Sequence, residues 1–344
     1  MKNISNQKVH YGALDGLRAY SAIGVAMMHI LSNGQYKVKG FIFDSFIASL
    51  GNLVFLFMMI SAFSMCCGYY KRITGQQISI EKFYSRRYQK MWPFFAILCL
   101  IDIIISPSKS AVYELFANLT LCFGLLPNAN ISVIGIGWFL GLIFVFYMIF
   151  PFFCFLISNK KRVWIAMIIS MVFNVLCRIY FFDRNHMLEQ FDVRTNIIYS
   201  SMFFVAGGII YLYKDQLLKI VSKYRILVIL LALLFTIGYF YEGNAEPFIM
   251  LLLFATLLIY SIGSLEKQGK ILENKFTKFI GNISLEIYLC HMVFYRLIEK
   301  LHLNHLLGNE IFSYILTVIM TLGCAIIFSC CIKYFLDRVV QRRQ

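Results

Sequence analysis

Three sets of polar residues stand out in otherwise apolar sequence. The first is Asp15, Arg18 and His29. A helix turns 100° per residue, so Arg18 and His29 fall about 20° from whole turns apart, and Asp15 and His29 about 40°. All three share one face. The rise of a helix separates Arg18 from His29 by about 16 Å. Imidazole is the usual general acid and base near neutral pH. On a helix facing a bundle interior it can take a proton from an alcohol, or carry a transferred group itself. The second set is Arg86, Arg87 and Lys90, just ahead of Pro93 in a basic loop, 69–91, whose acid is Glu81. Such a cluster either fixes topology and meets anionic lipid headgroups or cradles phosphate, which guanidinium forks match. The third set is Ser284, Tyr288 and His291, spaced i, i+4 and i+7 on one helical face. They either glue helices together or line the cavity that His29 faces.

The elements that must hold these residues are membrane helices. Of 344 residues, 60% are hydrophobic and only 14% charged, against about 25% charged in soluble domains. Too little polar surface remains to clothe a globule in water. A span needs about 20 mostly apolar residues. Ten ranges qualify: 16–34, 45–68, 92–106, 137–158, 163–182, 196–213, 225–241, 247–264, 281–298 and 311–334. The expected fold is an all-α polytopic bundle of about ten transmembrane helices, forming one membrane domain over 1–344 with no soluble domain appended.

Basic residues set the orientation. With both termini in the cytoplasm, most of the 32 Lys and Arg fall inside; only Lys37, Lys39, Lys109, Arg184, Arg194, Arg296 and Lys300 fall outside. This follows the positive-inside rule. It accounts for the net charge of +15 without a nucleic-acid partner. A crossing by 111–126 would invert every later loop, so that stretch reads as re-entrant or interfacial. The ten cysteines lie mostly in apolar runs, where Cys acts as a small hydrophobe. No disulfide and no metal site is expected.

Leu14-Asp15-Gly16-Leu17-Arg18-Ala19 followed by His29 resembles the first helix of the membrane acyltransferase-3 family. Further segments resemble that family in order. They are Asn52 to Phe63, Phe83 to Pro93, Trp138-Phe139-Leu140 through Tyr147 to Pro151, and Ile283 to His291 with its Ser-x-x-x-Tyr-Leu-x-His pattern. There are departures. Ala62 stands where the family usually has Gly, and Lys90 where it often has Arg. Many members carry an acid in the Trp-x-Leu helix, but Gly141-Leu142-Ile143-Phe144 has none. Any carboxylate partner of His29 must come from elsewhere, with Asp15 as the near-surface option.

The resemblance implies transfer of an acyl group, acetyl above all, from cytosolic acyl-CoA to a hydroxyl of a cell-surface glycan or glycolipid. His29, Arg18 and Asp15 would be catalytic. Arg86, Arg87 and Lys90 would hold coenzyme A, and Trp138, Tyr147, Ser284, Tyr288 and His291 would line the substrate cavity. Acetyl-CoA is a co-substrate; no tightly bound cofactor is implied. The other partners are the glycan acceptor, membrane lipid and, in one version, a separate protein that takes the acyl group. A bacterial inner membrane is the implied location. The rival reading is a transporter or flippase of a glycolipid or polar solute, since charges on one intramembrane face suit that too; no inverted repeat supports it.

Overall fold

A computed structural model describes residues 11–105, 107–125, 136–181, 193–243, 246–263 and 271–341. Lys2, Lys8, Arg184, Lys267, Lys270, Arg342 and Arg343 of the topology argument, and the span ends at 106, 182 and 264, lie outside that set. The described residues are helical with connecting turns. The α-helices are α1 Gly12–Asn33, α2 Leu53–Met65, α3 Lys71–Thr74, α4 Ile80–Ile105, α5 Lys109–Leu119, α6 Trp138–Met148, α7 Phe150–Ile157 and α8 Lys160–Leu176. They continue with α9 Ile197–Leu212, α10 Lys214–Lys223, α11 Arg225–Tyr241, α12 Pro247–Gly263, α13 Lys275–Asn282, α14 Ser284–Lys300 and α15 Glu310–Gln341.

Among the described residues, four helical stretches are long and apolar enough to cross a membrane: Ile42–Thr74, Ile80–Ile105, Lys160–Tyr180 and Glu310–Arg338. Two bent pairs, α6 with α7 (58°) and α9 with α10 (78°), raise the number to six. α11 and α12 are shorter apolar helices. The outward faces are greasy, as lipid contact requires: Ile226, Leu230, Leu233, Leu234 and Ile237 of α11 are all exposed. The protein is an integral membrane helical bundle.

α1 is not among the most apolar helices, and its position explains why it need not be. It packs against α2, α12, α13, α14 and α15, so its polar residues meet protein rather than lipid. Its small residues Gly12, Ala13, Gly16, Ala19, Ala22 and Ala26 are buried and let neighbouring backbones approach closely. A Cβ at Gly16 would collide with the Leu272 carbonyl, and one at Gly207 of α9 with the Met59 carbonyl of α2.

Three stretches bear on the sequence reading, and two of them depart from it. The loop expected over 69–91 is largely helix. Ser79 accepts from the Lys82 N–H at the start of α4, which then runs through Pro93 to Ile105. Arg86, Arg87 and Lys90 therefore project from a rigid helix. α5 overlaps the first part of 111–126 and has 11 residues, capped by Ser108; its length of about 16 Å is half a membrane core. The range 137–158 is two helices, because Pro151 in the first turn of α7 has no N–H to continue the ladder.

Candidate functional site

A cavity of about 490 Å³ opens between α1, α2, α4, α6, α13, α14 and α15. From α1 it receives Asp15 and Arg18; from α2, Ser61, Ser64 and Met65; from α4, Arg87 and Lys90. α6 adds Phe139, Ile143 and Tyr147, α14 adds Ser284, Glu286 and Tyr288, and α15 adds Lys333.

The cations differ in how they are held. Arg18 donates from Nη1 to Asp15 Oδ1 at 3.0 Å and from Nη2 to Ser64 Oγ at 2.6 Å. Lys333 Nζ donates to the Asn282 carbonyl at 2.8 Å and lies 3.7 Å from Glu286 Oε1. Arg87 has no such acid. Its Nη2 donates to Tyr69 Oη at 2.7 Å, and its guanidinium carbon sits 4.8 Å from the centre of the same ring. Among the described residues, neither Arg87 nor Lys90 forms an ion pair with a carboxylate. Two positive charges thus face the cavity without a direct ion pair to a carboxylate, which favours an anionic occupant. Ser61 and Tyr147 share a hydrogen bond of 2.6 Å across the wall.

Behind this cavity lies a pair of imidazoles. Tyr288 lines the cavity and donates to the Ile136 carbonyl at 2.9 Å. Its ring centre is 6.0 Å from that of His291. His291 Nε2 in turn lies 3.0 Å from His29 Nδ1, with the two rings within 12° of parallel. His291 is fully buried and His29 partly so. A second cavity, of about 400 Å³, is lined by Ser49, Asn52, Phe55, Arg194, Tyr199 and Met250. Asn52 and Ser64 lie on one helical rod, about 18 Å apart by helix rise, so the cavities are at different levels. Arg194 is close enough for its charge to act on both His29 and Tyr288.

The structure brings Asp15, Arg18, Arg87, Lys90, Tyr147, Ser284 and Tyr288 into one cavity and joins His29 to His291 behind it. It does not bring Arg86 or Trp138 into that lining. Arg86 lies one residue, or 100° of helix, away from Arg87. Asp15 is bonded to Arg18, and the group beside His29 is His291 instead. Sequence reasoning missed Ser64, Tyr69, Glu286 and Lys333 in the wall. Ser61 and Ser64 were detectable as polar residues one turn apart in an apolar run; Lys333 had no local signal.

A helical membrane bundle with a cationic cavity backed by a pair of histidines defines a class: a membrane protein that handles an anionic substrate inside its bundle. The chain belongs to the acyltransferase-3 family, whose acyltransferase-domain model matches residues 11–330. That makes it a membrane acyltransferase. No match was found among curated proteins or solved structures.

Proposed function

We propose that the protein transfers an acetyl group from acetyl-CoA to a hydroxyl of a cell-surface glycan or glycolipid, within the inner membrane of a bacterium. The observation that carries this reading is the pair of cations, Arg87 and Lys90, facing a cavity whose deep wall leads through Tyr288 to His29 and His291. The phosphates of coenzyme A are the natural partners of such cations, with Arg18 and Lys333 nearby. The thioester then points inward. The acceptor approaches from the second cavity, whose lining carries the polar residues Ser49, Asn52, Arg194 and Tyr199. His29 takes the hydroxyl proton as general base or carries the acyl group briefly.

The test is direct. Purified protein in nanodiscs is incubated with radiolabelled acetyl-CoA and a crude glycan extract. Release of free coenzyme A with label on the glycan is expected. Intact acetyl-CoA under all conditions overturns the reading in favour of a transporter.

A further inference from the structure

We propose that His291 is the positioning residue of His29, holding its ring in the tautomer whose Nε2 lone pair is available to a substrate. The inference rests on the acyltransferase reading of His29 and adds how that residue is oriented without a carboxylate.

The argument follows the protons. The backbone carbonyl of Ile287 lies 3.2 Å from His291 Nδ1. A carbonyl only accepts, so Nδ1 carries the hydrogen. A neutral imidazole has one donor and one acceptor nitrogen, which leaves His291 Nε2 as an acceptor. The group 3.0 Å from it is His29 Nδ1, which therefore donates. His29 Nε2 is left with its lone pair, and among the described residues nothing is hydrogen-bonded to it. No carboxylate of the described residues lies within hydrogen-bonding distance of either ring. A base orienter is usually acidic; here a second imidazole anchored to its own helix backbone four residues earlier does that work. His291 is fully buried, which keeps the pair in register, and α14 is held against both α1 and α15.

In the transfer step the acceptor hydroxyl gives its proton to His29 Nε2 while its oxygen bonds to the thioester carbonyl carbon. The C–S bond breaks, its electron pair leaves on sulfur, and the proton passes from His29 to that thiolate. While His29 is an imidazolium, its Nδ1–H bond to His291 becomes charge-assisted and stronger. The arrangement also accounts for Gly141–Phe144 lacking an acid without loss of the base.

Two measurements test this. Protein labelled with ¹⁵N-histidine in lipid bilayers is studied by solid-state NMR, with signals assigned from His29→Ala and His291→Gln. The proposal expects both rings protonated at Nδ1 and bare at Nε2; a proton on His29 Nε2 overturns it. Kinetics then separate positioning from packing. His291→Leu, which offers no acceptor, should lose about 100-fold in kcat with the KM for acetyl-CoA unchanged. His291→Gln, which restores an acceptor oxygen, should recover at least about tenfold of that loss. A Leu variant as fast as wild type, or a folded Gln variant as slow as Leu, overturns the proposal. If His291→Leu does not fold, the wild-type spectrum and the Gln variant decide. Wild-type protein inert toward acetyl-CoA would instead count against the acyltransferase reading, and the spectrum would still decide the tautomer.

Discussion

Arg86 and Arg87 are neighbours in sequence but stand in different surroundings. Arg87 is stacked and hydrogen-bonded on Tyr69 inside the cavity, while Arg86 is outside its lining. A hydrogen bond to a charged group contributes about 1.5–3 kcal/mol, so Arg87→Ala should raise the KM for acetyl-CoA about tenfold or more. Arg86→Ala should change it less than about twofold, because Arg86 is outside the cavity lining. Steady-state kinetics on both variants check this, and equal effects would contradict the assignment. Arg87→Lys should fall between wild type and Ala, since a lysine keeps the charge but loses the planar fork. Part of this site was legible in the residues alone. Arg18 and His29 share a face by helix arithmetic, and Ser284, Tyr288 and His291 do likewise. The contact between His29 and His291 was not legible, because 262 residues separate them and only the packing of α1 on α14 closes that distance. The search for an acid beside His29 pointed to Asp15, but Arg18, three residues on, holds that carboxylate.

At the level of elements, the close contacts are set by glycine. Replacing Gly207 with Leu would drive a side chain into the Met59 carbonyl and Ala62. Overpacking of this kind costs about 1–3 kcal/mol. Gly207→Leu should therefore lower the thermal midpoint in detergent, and an unchanged midpoint would contradict the packing of α9 on α2. Helix existence was largely readable from apolar runs, but boundaries were not. The stretch before Pro93 reads as loop because its basic residues interrupt the apolar runs on either side. In the folded protein Trp92 Nε1 donates to the Leu119 carbonyl, and this tertiary contact accompanies a helix that continues through the proline. The break between α6 and α7 carried its own signal in Pro151.

For the whole molecule, the orientation proposed from basic residues is open to test by labelling. The exposed cysteines Cys67, Cys324 and Cys331 are first replaced by alanine. Cysteine at position 37 should then react with an impermeant maleimide in intact cells, and cysteine at 160 only after lysis; the reverse pattern would contradict the orientation. The proposed roles of both cavities depend on it, since the proposal has one facing the cytosolic thioester and the other the acceptor. Each cavity draws its lining from several helices far apart in the chain, which is why no single segment disclosed them. The central claim is that the cationic cavity delivers an acyl group to His29. The most direct test is acetyl transfer by purified His29→Ala beside wild type, with folding checked by size-exclusion chromatography and acetyl-CoA binding measured separately. The account predicts that His29→Ala still binds acetyl-CoA but transfers at least about 100-fold more slowly; a folded His29→Ala with full transfer activity would contradict it.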